Sequence, residues 1–310
     1  MTRLPLDRLA GAPISWGVCE VPGWGVQPPP AQVLDELAGV GLRALELGPD
    51  GFLPTDPTAL RGLLDGRGLR LVGGFVPVVL HRPEQAAAAQ AELRRASALL
   101  GAAGADVVVL AATAAEAGYD RPRRLADEEW DTLVTALDEA SRTAVASGLR
   151  LVLHPHVGTV VEGPEDVRRI LERTSVPLCL DTGHLLIGGV DPVELARAAP
   201  ERIGHVHLKD VDAALAAEVR SGRTSYGDAV ADGLYRPLGA GDVRIAEVVD
   251  TLERGGYRGW YVLEQDVRLD REAAGGEGPV GDVRTSVAFL TGSQRPAHPT
   301  GALAGERGRD

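Results

Sequence analysis

Cysteine is scarce in this sequence: Cys19 and Cys179 are the only two among 310 residues, and no CxxC spacing occurs. A disulfide framework and a zinc ribbon are therefore not expected, and a reducing cytoplasm fits best. Long hydrophobic runs are missing too. The opening "MTRLPLDRLAGAPISWG" lacks the apolar core of a signal peptide, and no later run approaches the roughly 20 residues that span a bilayer. The expectation is a soluble protein without a membrane partner. Basic residues are in deficit, with 32 Lys and Arg against 44 Asp and Glu and a net charge of −12, and no basic stripe interrupts the balance. Phosphate-backbone binding leans on such side chains, so a nucleic-acid partner is not expected. The strand-turn-helix GxGxxG of dinucleotide binding is absent, since "GAGDV" at 239 to 243 carries its two glycines in another context. No solenoid-period repeat occurs either.

What is present is an alternation. Hydrophobic residues make up 44% and charged residues 25%, the balance of a globular protein. Short apolar runs read as strands: "APISW" (12 to 16), "ALEL" (44 to 47), "LRLVGGF" (69 to 75), "DVVVL" (106 to 110), "LRLVLH" (149 to 154), "PLCLD" (177 to 181), "IGHVHL" (203 to 208) and "WYVLE" (260 to 264). Between them Ala/Leu/Glu/Arg segments read as helices near 30 to 40, 56 to 66, 83 to 101, 127 to 147, 164 to 173, 192 to 199, 244 to 255 and 282 to 291. Several open on proline or acidic residues and close at glycine. Strands separated by helices pair in parallel, and eight such units point to an α/β fold, a (β/α)₈ TIM barrel. A doubly wound sheet is the competitor. Residues 1 to 292 read as a single barrel domain, and 293 to 310, rich in Gly, Pro and Arg, as a mobile tail.

The active site of such a barrel lies at the C-terminal ends of its strands, and the polar residues gather there. Five of the seven histidines fall at the ends of strands 5 to 7: His154, His156, His184, His205 and His207. Glu46, Asp181 and Glu264 end strands 2, 6 and 8. In "RIGHVHLKD" (202 to 210), His205, His207 and Lys209 alternate and so share one face. Buried carboxylates without partners are costly, and a divalent cation lets carboxylates and imidazoles share a cavity. Asp181, His207 and Glu264 end three consecutive strands, which makes them the ligand candidates. His205 lies one layer deeper and suits a structural hydrogen bond. Lys209 lies nearer the mouth, where an ammonium meets a substrate oxygen. Glu46 is read as substrate-binding. Trp16 offers either a wall for a sugar face or packing. Arg236, with Tyr235 in the long "GLYRPLGAGD" loop, either covers the site or decorates the surface.

"LDTGH", "IGHVHLKD" and "GAGDVRIAEVVDTLERGGYRGWYVLEQD", with "APISWG" and "LELGP", make the sequence similar to the xylose isomerase-like TIM barrels of the sugar isomerase and epimerase superfamily, most of all to inosose dehydratase-like members. The resemblance covers about residues 10 to 290. It implies a divalent metal held by His154, Asp181, His207 and Glu264, with His184 at a substrate-contacting position. Mn²⁺ or Co²⁺ suits mixed N/O donors, with Zn²⁺, Fe²⁺ or Mg²⁺ as other candidates. Sugar epimerases commonly carry glutamate where His154 stands, whereas the His-rich "LHPHVGT" resembles the dehydratases. Glu162 is the alternative fourth ligand.

The expected function is a metal-dependent lyase that dehydrates a cyclic polyhydroxy ketone such as 2-keto-myo-inositol, with His184 or His156 moving the proton and Lys209 stabilising the charged oxygen. A sugar or sugar-phosphate isomerase or epimerase on the same metal site is the alternative. A non-catalytic sugar-binding barrel is the alternative of another class. The partner is a small polyol or sugar, and homo-oligomerisation stays open.

Overall fold

The computed structural model describes residues 2–114, 119–120, 124–271, 275–276 and 278–293. The barrel strands are β1 Leu9–Gly11, β2 Ala44–Glu46, β3 Arg70–Val78, β4 Val107–Ala112, β5 Arg150–Leu153, β6 Leu178–Asp181, β7 Ile203–Leu208 and β10 Tyr261–Leu263. All pair in parallel, in the closed order β1-β10-β7-β6-β5-β4-β3-β2. The seam joins Leu9 to Tyr261 and Gly11 to Leu263. Two short strands, β8 Asp210–Val211 and β9 Tyr235–Arg236, form an antiparallel ribbon of their own.

The helices are α1 Pro30–Gly39, α2 Pro57–Asp65, α3 Ala86–Ala102, α4 Asp127–Ala146, α5 Pro164–Arg173, α6 Thr182–Gly188, α7 Pro192–Ala198, α8 Ala213–Arg220, α9 Tyr226–Ala231, α10 Ile245–Arg254 and α11 Pro279–Thr291. Their starts follow from local chemistry. Proline, whose missing N–H costs nothing in a first turn, opens α1, α2, α5, α7 and α11. The side chains of Asp56 and Asp191 accept from first-turn backbone N–H groups of α2 and α7. Among the described residues no helix is long and apolar enough to cross a membrane.

Side-chain alternation divides the core in two. Val206, Leu208, Tyr261 and Leu263 point outward into the large cluster packed against the helices. Inside the barrel, Ala10, Ala44, Val72 and Val262 form one small cluster, and Val107, Val109, Val152 and Cys179 another. Each of Ala44, Val152, Cys179 and Val262 precedes a polar inward residue by two positions: Glu46, His154, Asp181 and Glu264. An apolar plug thus supports a polar layer at the C-terminal mouth.

Two features depart from the sequence reading. The first strand is Leu9–Gly11 and not 12 to 16, because Pro13–Trp16 closes into a 3₁₀ turn. Pro13 has no N–H to give a neighbouring strand. The stretch after β7, read as loop, contains α8, α9 and the β8–β9 ribbon. It is tied down by Asp210, whose buried carboxylate accepts from the backbone N–H groups of Val211, Gly239, Gly241 and Val243. Of the expected tail, residues 294 to 310 lie outside the described residues.

Candidate metal centre and active site

Register builds the polar layer. Asp181 on β6 pairs with His207 on β7, which pairs with Val262 on β10, and this carries Glu264 just past them toward the mouth. Asp181 also caps α6: its Oδ1 accepts from Gly183 N and His184 N, both at 2.9 Å. The cap fixes the carboxylate and leaves Oδ2 facing His154 Nε2 at 3.3 Å and His207 Nδ1 at 3.6 Å. His207 Nδ1 also lies 3.1 Å from Glu264 Oε2. Donor atoms of Asp181, His207 and Glu264 fall within 4.8 Å of one another, as do those of His154, Asp181 and His184.

This donor set fits a divalent cation. His207 Nδ1 is buried and makes no hydrogen bond among the described residues, although Glu264 Oε2 lies 3.1 Å away. An imidazole nitrogen turned toward two carboxylates is a mixed N/O site of the kind Mn²⁺, Co²⁺, Fe²⁺ and Zn²⁺ accept. A third grouping, His154, Cys179 and His207, is a poorer candidate, since burial pushes the Cys179 thiol up to about 12 and keeps it protonated. Glu162 is not part of the layer; its Oε2 accepts from Gly158 N at 2.9 Å.

Around the donors, charge is sorted by burial and neighbours. Burial opposes ionisation of Asp181, but the Lys209 charge, helped by the hydrogen bond with His154, outweighs it and holds its carboxyl well below the usual range. Burial likewise works against the Lys209 ammonium, and Asp266, Glu264 and Asp181 reverse it, so the lysine stays charged. His156 and His184 move the other way: burial first, then a neighbouring imidazole and Lys209, hold both well below the ordinary histidine value. Both are neutral at pH 7.

The mouth opens into a cavity of about 230 Å³ whose lining includes Glu46, His154, His156, His207, Lys209, Glu264 and Asp266. His184 is not among the lining residues. It stacks behind His156, with ring centroids 3.7 Å apart, and its Nε2 accepts from Lys209 Nζ at 3.0 Å. His156 donates Nδ1–H to the Val157 carbonyl at 2.8 Å, which fixes the tautomer and leaves Nε2 as its acceptor. Space is tight here: a Cβ on Gly183 would fall 2.6 Å from Lys209 Cβ.

Two expected substrate contacts lie elsewhere. Trp16 is buried with its indole N–H on Glu36 Oε2 at 2.8 Å, because the 3₁₀ turn swings it toward α1. Trp24 lines the cavity instead, held by its N–H on the Val267 carbonyl. Arg236 is exposed and pairs with Asp212 at 3.4 Å, since alternation in β9 turns Tyr235 inward and Arg236 outward. His205 lies one layer deeper, with Nε2 2.7 Å from Glu46 Oε1.

The sequence reading missed Asp266 and Tyr226. Asp266 accepts from Lys209 Nζ at 2.6 Å and from the Tyr226 hydroxyl at 2.5 Å, and Tyr226 and Tyr235 hydroxyls are 2.9 Å apart. One signal was available: Lys209 is the only lysine in the chain, and it is buried. A buried ammonium needs carboxylates, and "LEQD" supplies Glu264 and Asp266 at alternate positions.

Known proteins of similar sequence and fold exist. An inosose dehydratase of Geobacillus kaustophilus (strain HTA426) is 33% identical over 270 residues, covering 84% of this chain and 87% of the relative. The rhizopine catabolism protein MocC of Rhizobium meliloti is 35% identical over 267 residues, 84% of this chain and 81% of its own. The solved IOLI protein with a zinc atom superposes with a TM-score of 0.66 at 15% identity, over 92% of this chain and 98% of that one. The family description "xylose isomerase-like TIM barrel" matches residues 34–291, and this chain belongs to that family.

Proposed function

We propose that this protein is a metal-dependent hydro-lyase that removes water from an uncharged cyclic polyhydroxy ketone, with 2-keto-myo-inositol as the leading substrate. The observation that carries this reading is His156: a neutral imidazole with a fixed tautomer, lining the cavity beside the donor cluster. His154, Asp181, His207 and Glu264 would hold the cation, Mn²⁺ or Co²⁺ by the donor chemistry, and the zinc atom bound by the similarly folded IOLI protein supports a divalent metal. When bound, the cation polarises the substrate carbonyl and acidifies the neighbouring C–H.

The side chains do the rest. His156 Nε2 takes the proton from that carbon, the electron pair forms the C=C bond, and the C–O bond to the β-hydroxyl breaks. The proton on His156 then joins the departing hydroxide, so one C–H and one C–OH become C=C and water. The Lys209 ammonium, kept charged by Asp266 and Glu264, stabilises oxygen as it gains negative charge. His184 is a positioning residue that accepts from Lys209 and backs His156.

Charge supports an uncharged substrate. The lining carries the carboxylates of Glu20, Glu46, Asp50, Glu92, Glu264 and Asp266, while its arginine and lysine, Arg95 and Lys209, are both ion-paired, and His207 faces Glu46 and Glu264. A sugar phosphate would find no unpaired basic group among these lining residues, which disfavours the sugar-phosphate isomerase reading. The inosose dehydratase relative supports the same choice. Both described cysteines are free and buried, in keeping with a reducing cytoplasm. The test is product analysis after incubating the Mn²⁺- or Co²⁺-loaded protein with 2-keto-myo-inositol, where loss of one water marks the lyase and a product of unchanged mass marks an isomerase.

A further inference from the structure

Glu46 ends β2, three places round the barrel from β7. One oxygen of its carboxylate, Oε1, lies 2.7 Å from His205 Nε2 and 3.0 Å from His207 Nε2. All three residues are buried, with Glu46 at 2% exposure and each histidine at 1%. A carboxylate oxygen only accepts, so both Nε2 atoms carry hydrogen. In a neutral His207 the lone pair is then on Nδ1, the buried nitrogen that makes no hydrogen bond and faces Asp181 and Glu264. The two ends of one imidazole thus meet different partners: a carboxylate fixes one, and the donor cluster receives the other.

We propose that Glu46 is a positioning residue for a metal ligand, setting the tautomer and ring angle of His207 so that Nδ1 presents its lone pair to a divalent cation, while His205 holds the Glu46 carboxylate from one layer deeper. The inference rests on the metal-dependent reading above and reassigns Glu46 from substrate contact to support of the metal centre. Carboxylate partners of ligating imidazoles orient the ring and raise its basicity, and losing one weakens metal binding about 10- to 100-fold. His205 belongs to the device because it shares the oxygen that His207 uses. Without it, Glu46 Oε1 keeps only the His207 hydrogen bond among the described residues.

The test titrates metal-free protein with Co²⁺ against a competing chelator and follows the visible absorption of bound Co²⁺. Glu46→Ala should bind Co²⁺ about 10- to 100-fold more weakly than wild type. Glu46→Gln, which keeps an oxygen acceptor, should recover part of that loss. His205→Phe, which keeps the volume and removes the second tether, should weaken binding by about threefold or more. Co²⁺ affinity within about twofold of wild type in Glu46→Ala overturns the inference, because a purely structural network would lower only the thermal midpoint of metal-free protein. Where Glu46→Ala does not fold, His205→Phe and Glu46→Gln decide by the same criterion. Failure of the wild type itself to bind Co²⁺ would instead remove the metal-dependent reading, and this inference with it.

Discussion

Lys209 Nζ stands 3.0 Å from His184 Nε2, so an ammonium donates to the imidazole nitrogen that a general base would need free. Lys209 also donates to Asp266 Oδ1 at 2.6 Å and forms an ion pair with Glu264 Oε2 at 3.2 Å. On the proposed mechanism proton transfer therefore belongs to His156, which lines the cavity and whose Nε2 has no hydrogen bond among the described residues. His156→Gln should keep bound metal and fold normally while kcat falls about 10² to 10⁴-fold, the range for a lost general base. His184→Asn should cost less. Steady-state kinetics with metal content measured on the same samples checks this, and near-normal turnover by the His156 variant would return the role to His184.

Asp181 works through both oxygens, one capping α6 and one in the donor cluster. Asp181→Asn keeps an oxygen for the cap and loses the charge. Its metal-free thermal midpoint should stay close to wild type while bound Mn²⁺ or Co²⁺ drops out. Asp181→Ala should lose the metal and also about 1 kcal/mol from the missing cap. Thermal melts and elemental analysis of the two variants separate the roles, and metal retained by Asp181→Asn would count against a ligand there.

Gly183 separates β6 from Lys209 by the absence of a side chain. The Cβ of an alanine would fall 2.6 Å from Lys209 Cβ and 3.0 Å from the Tyr235 ring. Gly183→Ala should destabilise by about 1 to 3 kcal/mol through overpacking. It should also cost activity, because Lys209 must shift. An unchanged melting midpoint would show that the strand ends relax around the added methyl group.

Asp210 anchors the ribbon and loop that carry Tyr226 and Tyr235 to the mouth. Its carboxylate accepts from four backbone N–H groups, and Asp210→Ala would leave them without that partner. The expected loss is about 2 to 4 kcal/mol, read as a lower midpoint in denaturant unfolding. A change below about 0.5 kcal/mol would mean that water replaces the carboxylate without penalty.

The sequence reading captured what periodicity can express. "IGHVHL" coincides with β7 at Ile203–Leu208, and the grouping of Asp181, His207 and Glu264 follows from strand ends being neighbours in a parallel barrel. What escaped it depends on local geometry. Trp16 was lost because a proline turn rotates the indole away, and Arg236 because a two-residue strand gives no alternation to read. Asp266 lies just past β10, and its pairing with Lys209 becomes legible only once that lysine is known to be buried. Tyr226 reaches the site through α9, a six-residue helix too short to show an amphipathic pattern. His184 presents a subtler case. Its place beside Asp181 is plain in "LDTGH", but only the structure reveals that His156 stands between it and the cavity.

Whether the barrel mouth dehydrates its substrate with a bound metal is decided by mass spectrometry of 2-keto-myo-inositol incubated with Mn²⁺- or Co²⁺-loaded protein. The wild type should form a product lighter by one water, and that product should vanish on chelation and return when the metal is added back. A product of unchanged mass, or turnover indifferent to chelator, would contradict metal-dependent dehydration.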